Sequence, residues 1–336
     1  MVKRRLTQQQ LSRQKAQQAK RLARASVPNK ESQDTPNQSL GPEQGGVLIA
    51  HYGTTLIVEN QAGLHYSCKA RQNLGTLVTG DEVIWQQIDD KTGIVVAFHE
   101  RRSIITRPDK RTSKPIVANV DLIIIVCAFE PLPHKTTLDR YLIIAQNLGL
   151  PAIIVANKCD IETNDKIAAL REKTAVYEGL GYPCLEVSSK TRFGLSTLEQ
   201  ALIGKTAVLM GQSGVGKSSL LNALIPLAGA LTQELSHLAR TGRQTTSASR
   251  LYHLPKGGNL IDSPGIHEFN LGHFSSDAIK HGFKEFQGLL NQCKYRNCKH
   301  SIEPGCALQE GVRLGKIAPF RLQSYHIIMG DLDNQL

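Results

Sequence analysis

The chain has 336 residues, 40% of them apolar and 5% aromatic, and carries a formal net charge of +11 from 40 Lys and Arg against 29 Asp and Glu. That length exceeds one ordinary core and calls for two or three domains, while the basic excess points to a polyanionic partner, nucleic acid or an anionic membrane surface. The N-terminus lacks an apolar signal stretch and no apolar run is long enough to span a bilayer, which excludes membrane insertion and points to the cytoplasm, where the seven cysteines read as thiols or metal ligands before disulfides.

Residues 1–42 form a basic tail. Its first 40 residues hold nine Lys or Arg (Lys3, Arg4, Arg5, Arg13, Lys15, Lys20, Arg21, Arg24 and Lys30) against Glu31 and Asp34, and no aromatic residue. Such a stretch buries too little to fold alone and is expected to be disordered. From 43 to 108 the texture changes to short strands, Gly46–Ala50, Thr54–Glu59, Leu64–Ala70, Glu82–Ile88 and Gly93–Phe98, separated by turn residues such as Asn60, Gly63, Gly80, Asp81, Asp89 and Asp90. Five strands in this length predict a small β-barrel, an OB-fold first and an SH3-like barrel second. Tyr52, Tyr66 and Trp85 are its visible candidates for stacking on RNA bases, with core packing the stronger reading for Trp85.

Arg101–Pro115 reads as a basic connector. Strands and helices then alternate: strand Val120–Ala128, helix Thr136–Leu148, strand Pro151–Ala156, helix Asp165–Gly179, strand Cys184–Val187, helix Ser196–Ile203, strand Thr206–Met210 and helix Lys217–Leu224. This alternation predicts an α/β domain with a parallel sheet covered on both faces.

Between the last strand and the last helix, Gly211, Gln212, Ser213, Gly214, Val215, Gly216, Lys217 and Ser218 fit the P-loop pattern G-x-x-x-x-G-K-[ST], followed by Ser219. The glycines let backbone N–H groups face inward around phosphates, and the helix N-terminus adds its positive end. In this pattern Lys217 reaches the β- and γ-phosphates and Ser218 ligates Mg²⁺. A P-loop does not by itself choose between ATP and GTP.

Asn157, Lys158, Cys159 and Asp160, at the end of a buried strand, match the N-K-x-D guanine signature. A carboxylate there accepts from N1–H and the exocyclic amine of guanine, a donor pair adenine lacks, so the wrong base leaves it unsatisfied. Ser188, Ser189 and Lys190 follow the next strand, as does the loop that supports guanine in GTPases. Asp262, Ser263, Pro264 and Gly265 match D-x-x-G, whose Asp holds Mg²⁺ and whose Gly N–H meets the γ-phosphate. Residues 250–261 read as a hairpin leading into it, and upstream Thr245 or Thr246 is the switch threonine. Here the base motifs precede the P-loop, the reverse of the common order, so the domain is circularly permuted. Only the assembled site matters chemically, and the termini of compact domains lie close together. The segment after Asp262 then runs into the C-terminal region, which predicts that hydrolysis moves that region.

After Pro264 the chain reads as mainly helical, interrupted by Cys293, Cys298, His300 and Cys306. Four soft ligands in fourteen residues make a closed structural zinc set. The surrounding Tyr295, Asn297, Lys299 and Ser301 would make a poor core.

Taken together, residues 45–310 resemble the ribosome small-subunit-dependent, circularly permuted GTPases of the RsgA/YjeQ family. The segment Val117–Asp121 looks like the strand that opens the family's GTPase core. The resemblance implies an OB-fold at 43–108, a permuted GTPase domain at 109–272 and a zinc-binding helical domain at 273–336. It further implies a monomer that binds the small ribosomal subunit and its rRNA late in assembly, with GTP hydrolysed to GDP under stimulation by that subunit. Family members carry His before the switch threonines, whereas this chain has Gln244. Gln can also orient water, so Gln244 is nominated for that role, with a plain loop residue as the alternative. Two other functions fit the motifs: a GTP-gated RNA-binding switch with little turnover, and a P-loop kinase with a zinc lid.

Overall fold

The computed structural model describes residues 40–336, apart from 73, 110–111, 132, 135, 162–163, 240–247, 268–270, 272–273 and 334–336. The basic tail up to residue 39 and the nominated Gln244, Thr245 and Thr246 therefore lie outside the described residues.

Strands β1 (Glu43–Tyr52), β2 (Thr55–Asn60), β3 (His65–Ala70), β4 (Glu82–Gln87) and β5 (Thr92–Phe98) pair in the order β1-β2-β3-β5-β4, and β4 returns to β1. Closure removes the free edges that an isolated five-stranded sheet would expose. Alternate residues Leu48, Leu56, Val58, Tyr66, Val83, Trp85 and Val95 fill the interior. Trp85 is fully buried, its ring centroid 4.5 Å from that of Tyr66. Strand β1 passes so close that a Cβ at Gly46 would stand 2.7 Å from Glu59 O and 2.9 Å from Trp85 Nε1. Tyr52 and Tyr66 are buried as well. None of the three rings offers a face for base stacking, which corrects the stacking expectation for Tyr52 and Tyr66: Tyr66 lies at an inward position of its period-2 strand, and Tyr52, beyond a bulge in β1, is buried in the core shared with the GTPase sheet.

The expected connector is instead a two-stranded antiparallel ribbon, β6 (Ile104–Asp109) with β7 (Thr112–Ala118). Its Ile104, Ile105, Thr106, Ile116 and Val117 are β-formers whose signal was masked by the Arg and Pro residues around them. The 108/109 division falls inside this ribbon. Val117–Asp121 is likewise no single strand. Its first two residues end β7, Asn119 turns with φ +57°, and β8 (Leu122–Ala128) begins beyond it.

From β8 the chain alternates through α1 (Thr137–Asn147), β9 (Ala152–Asn157), α2 (Asn164–Gly179), β10 (Cys184–Glu186), α3 (Leu195–Leu202), β11 (Thr206–Met210) and α4 (Lys217–Leu224). A helix the sequence reading did not include, α5 (Ala228–Leu238), follows, with Ala228 and Leu235 on its buried side. The hairpin β12 (Arg250–His253) and β13 (Asn259–Asp262) completes the sheet, in the order β10-β9-β8-β11-β13-β12. All neighbours in it are parallel except β12 and β13. Strands β8, β9 and β11 are buried throughout, as a sheet covered on both faces requires. The barrel continues this sheet, because β1 pairs with β12 at Ala50 and Arg250.

The C-terminal elements are α6 (Pro264–His267), α7 (Ser276–His281), a 3₁₀ turn at Lys284–Phe286, α8 (Ala307–Arg313) and α9 (Pro319–Asp333). Phe283, Phe286, Leu308, Leu322, Tyr325 and Ile328 share one apolar cluster with Leu138, Tyr141, Leu142 and Ile143 of α1.

Candidate active site and metal cluster

The P-loop leaves β11 and enters α4 through left-handed turns at Gly214 (φ +82°) and Gly216 (φ +91°). At Gly216 a Cβ would lie 2.4 Å from Asn157 Nδ2, so only glycine lets the base loop approach this closely. Lys217 Nζ donates to Gly211 O at 2.8 Å and to Gln212 O at 2.6 Å, holding the ammonium over the loop. Half-burial lowers the Lys217 pKa, and the nearby Asp262 carboxylate opposes that shift. The Lys217 ammonium and the Asp262 carboxylate thus lie close enough to interact electrostatically. The strands explain why: β13 pairs in parallel with β11 at Val208 and Ile261, so both strands end on the same side.

The base motif is joined to the P-loop directly. Asn157 Nδ2 donates to Val215 O at 3.1 Å, while its Oδ1 accepts from Ser189 N at 3.3 Å and Ser189 Oγ at 3.0 Å. Ser188 Oγ donates to Asp160 Oδ1 at 2.6 Å and accepts from Thr191 N at 3.0 Å. One amide thus ties three loops together, and a buried hydroxyl aims the Asp160 carboxylate. Lys158 Nζ donates to Glu130 O at 2.8 Å. Lys190 falls in the turn after Ser189.

The loop between β8 and α1 forms a wall of this site that the sequence reading missed. Gln212 Nε2 donates to Thr137 Oγ1 at 3.1 Å, and a Cβ at Gly214 would lie 3.6 Å from Pro131. No spacing signal marks such a loop, because it meets the P-loop only through the tertiary fold. Ser218 and Ser219 lie in the first turn of α4, Ser213 in the turn of the P-loop, and Gly265 in α6.

The second site lies between the 3₁₀ turn and α8. One ligand atom from each of Cys293, Cys298, His300 and Cys306 falls within 4.8 Å of all the others. Cys293 Sγ is 3.4 Å and Cys306 Sγ 3.6 Å from His300 Nδ1. Metal–sulfur bonds of about 2.3 Å and metal–nitrogen bonds of about 2.0 Å put tetrahedral ligand atoms roughly 3.5–3.8 Å apart, so the set could hold a metal ion with little movement. Backbone N–H groups already point at the sulfurs, His300 N at Cys298 Sγ (3.4 Å) and Ala307 N at Cys293 Sγ (3.3 Å).

A parallel sheet whose strand ends carry a guanine motif, a P-loop and D-x-x-G in permuted order defines a circularly permuted GTPase. The family model for RsgA GTPase matches residues 98–272. A protein from Pseudomonas putida called small ribosomal subunit biogenesis GTPase RsgA is 44% identical over 338 residues, which cover 99% of this chain and 98% of that one. Its namesake from Haemophilus influenzae is 42% identical, covering 99% and 96%. Among solved structures, YjeQ from Thermotoga maritima superposes with a TM-score of 0.69 at 31% identity, over 87% of this chain and 99% of its own. YloQ, described as a circularly permuted GTPase, gives 0.68 at 26% identity, over 90% and 99%. This chain belongs to the RsgA GTPase family.

Proposed function

We propose that this chain hydrolyses GTP to GDP and phosphate while bound to the small ribosomal subunit and its rRNA, late in that subunit's maturation, and that the subunit stimulates turnover. The observation that carries the nucleotide part is Asn157, whose one amide joins the guanine loop to the P-loop so that base and phosphates bind as a unit. The ribosomal part rests on family membership, on the names of the full-length relatives and on the charge of +11.

Asp160 reads guanine, with Ser188, Ser189 and Lys190 supporting the base. The P-loop amides of residues 211–216, with Lys217, Ser218 and Ser219, hold the phosphates, and the Gly265 N–H meets the γ-phosphate. Ser218 and Asp262 would hold Mg²⁺, which when bound neutralises charge on the phosphate oxygens. Water attacks the γ-phosphorus in line, and Lys217 stabilises charge that develops on the phosphoryl oxygens. Gln244 orients that water, and Thr245 or Thr246 closes on the γ-phosphate. Intrinsic turnover is slow, because no arginine finger is assigned; the subunit acts as the activator. Cys293, Cys298, His300 and Cys306 hold one structural zinc. The barrel (43–108), the permuted GTPase unit (109–272) and the zinc domain (273–336) then act in a cytoplasmic monomer. Among the described residues no helix is long and apolar enough to cross a membrane.

The test is phosphate release from GTP and from ATP, with and without purified small subunits, for wild type and Lys217→Ala. Stimulation specific to GTP and absent in Lys217→Ala is expected. A preference for ATP sinks the guanine assignment. Binding of GTP without stimulated release would favour the second reading, a GTP-gated RNA-binding switch, for which Gln244 in the family's His position is the motivating residue.

A further inference from the structure

The hairpin that ends at Asp262 is fastened to the barrel at two points beside that carboxylate. The first runs through Arg250. Its backbone is the cross-strand partner of Asp262 in β12–β13 and of Ala50 in β1–β12. Its Nε donates to Tyr52 Oη at 2.8 Å, and its guanidinium lies 5.5 Å from the centre of the Tyr52 ring. The second runs through hydroxyls. Thr79, fully buried in the barrel segment that leads to β4, donates from Oγ1 to Ser249 O at 3.0 Å. Ser249 Oγ lies 2.6 Å from Oγ of Ser263, the fully buried neighbour of Asp262. Thr79 is itself held by the ribbon, since its carbonyl accepts from Ala118 N at 3.0 Å.

A third attachment differs from these. At the far end of the same hairpin, His253 bridges Asn259 Oδ1 and Glu59 Oε1, both at 2.7 Å, and Glu59 also accepts from His65 at 3.1 Å. This contact holds the barrel to the hairpin but is remote in register from Asp262.

We propose that Tyr52 and Thr79, two barrel residues outside the nucleotide motifs, are positioning residues for Asp262. Tyr52 acts through one residue of the GTPase sheet, Arg250, and Thr79 through two residues flanking it, Ser249 and Ser263. Displacement of the barrel by whatever it docks on is then transmitted to the metal-binding carboxylate. The inference rests on the reading of Asp262 as the Mg²⁺ ligand.

The experiment measures GTP hydrolysis by the full chain against Mg²⁺ concentration for wild type, Tyr52→Phe, Thr79→Val, Glu59→Gln and Asp262→Asn. GDP affinity in excess EDTA and the melting temperature are recorded for each. Tyr52→Phe and Thr79→Val keep the buried shape and lose only a hydroxyl. Each is expected to raise the half-saturating Mg²⁺ concentration and lower kcat, together by about tenfold for Tyr52→Phe, the scale of one hydrogen bond to a charged group, and by about fivefold for Thr79→Val, whose partner is a neutral carbonyl. Metal-free GDP affinity should stay as in wild type. Glu59→Gln should lower the melting temperature and leave the Mg²⁺ dependence in place. Unchanged Mg²⁺ dependence in both hydroxyl variants overturns the proposal, as does an equal shift in Glu59→Gln, which would mean general loosening of the hairpin. If Asp262→Asn leaves the Mg²⁺ dependence unchanged, the metal reading of Asp262 fails first and the proposal falls with it.

Discussion

Asn157 and Gly216 form one contact seen from two sides. The asparagine amide reaches the carbonyls of Val215 and Gly216 only because residue 216 has no side chain and turns at φ +91°. Gly216→Ala should therefore strain a left-handed position, at a cost of about 1–3 kcal/mol, and also push the base loop off the P-loop. Titration of a fluorescent GDP analogue should show affinity falling about tenfold or more; an unchanged affinity would mean that the two loops bind nucleotide independently. Both residue types were legible in the sequence, since each belongs to a motif with a chemical reason for its spacing. Their mutual contact was not legible, because Asn157 ends one strand and Gly216 sits in the loop beyond another, 59 residues along the chain. The same holds for Thr137, which meets Gln212 across the site with no motif to announce it.

At the scale of elements, two polar clusters join parts of the fold. Glu59 lies between His65 of β3 and His253 of β12, and His65 also meets Glu234 of α5. Burial would raise the Glu59 pKa, but the hydrogen bonds from His253 and His65 outweigh it and hold the carboxyl at about 2. The hydrogen bond to Glu59 raises both imidazoles. A depressed carboxylate contributes stability above its unfolded pKa and loses it as pH falls through the folded value. A raised imidazole contributes fully below its unfolded pKa and loses it as pH rises through the folded value. From the ordinary values of 4.5 and 6.5, the cluster contributes most between those two pH values. Denaturant melts of wild type and Glu59→Gln should differ most in that window, with the gap closing on either side; a gap that does not vary with pH would count against an ionic clamp. The other cluster is Arg321 of α9, buried with Asp139 of α1 and with Glu285, and lying over the Phe283 ring at 4.5 Å. Tyr177 donates to the same Asp139 at 2.7 Å. Arg321→Ala would leave two buried carboxylates without their cation and should destabilise the chain by about 3–5 kcal/mol in an unfolding titration. Most elements were readable from periodicity: the barrel strands, the alternating core and α4 all appear near their predicted spans. The β6–β7 ribbon and α5 were not, the first because Arg and Pro obscured short β-forming runs, the second because its apolar stripe is only two or three residues deep.

For the whole molecule, the shared core of α1 with the C-terminal helices bears on how nucleotide state reaches the end of the chain. Chain order alone, with D-x-x-G running into the C-terminal region, predicts that hydrolysis moves that region. Separation would expose Phe283, Phe286 and Tyr325 together with the Arg321 cluster, all of them buried against the GTPase core. Movement of that region therefore shifts this packing without full separation; C-terminal protease accessibility should differ between the GDP and non-hydrolysable GTP states, and identical accessibility would count against it. Chelation is a separate lever. Removing the proposed zinc from Cys293, Cys298, His300 and Cys306 should expose the 293–306 loop to proteolysis while α9, held by Arg321, remains protected; simultaneous loss of both would mean that such a metal supports the whole C-terminal unit.

The amino-acid sequence by itself determined the chemistry of this protein. The P-loop, the guanine motif, D-x-x-G and the Cys/His set each need particular residue types at short, fixed spacings, and local spacing is readable along one strand of text. The order of those motifs also revealed the permutation. What only the tertiary structure decided is how the pieces are joined: the barrel strand that continues the GTPase sheet at Ala50 and Arg250, the hydroxyls that reach the neighbour of Asp262, and the buried arginine that fastens the last helix to α1. These contacts span scores of residues in the chain. They depend on strand register and on which helix face meets which core, and neither is encoded in any short run of residues.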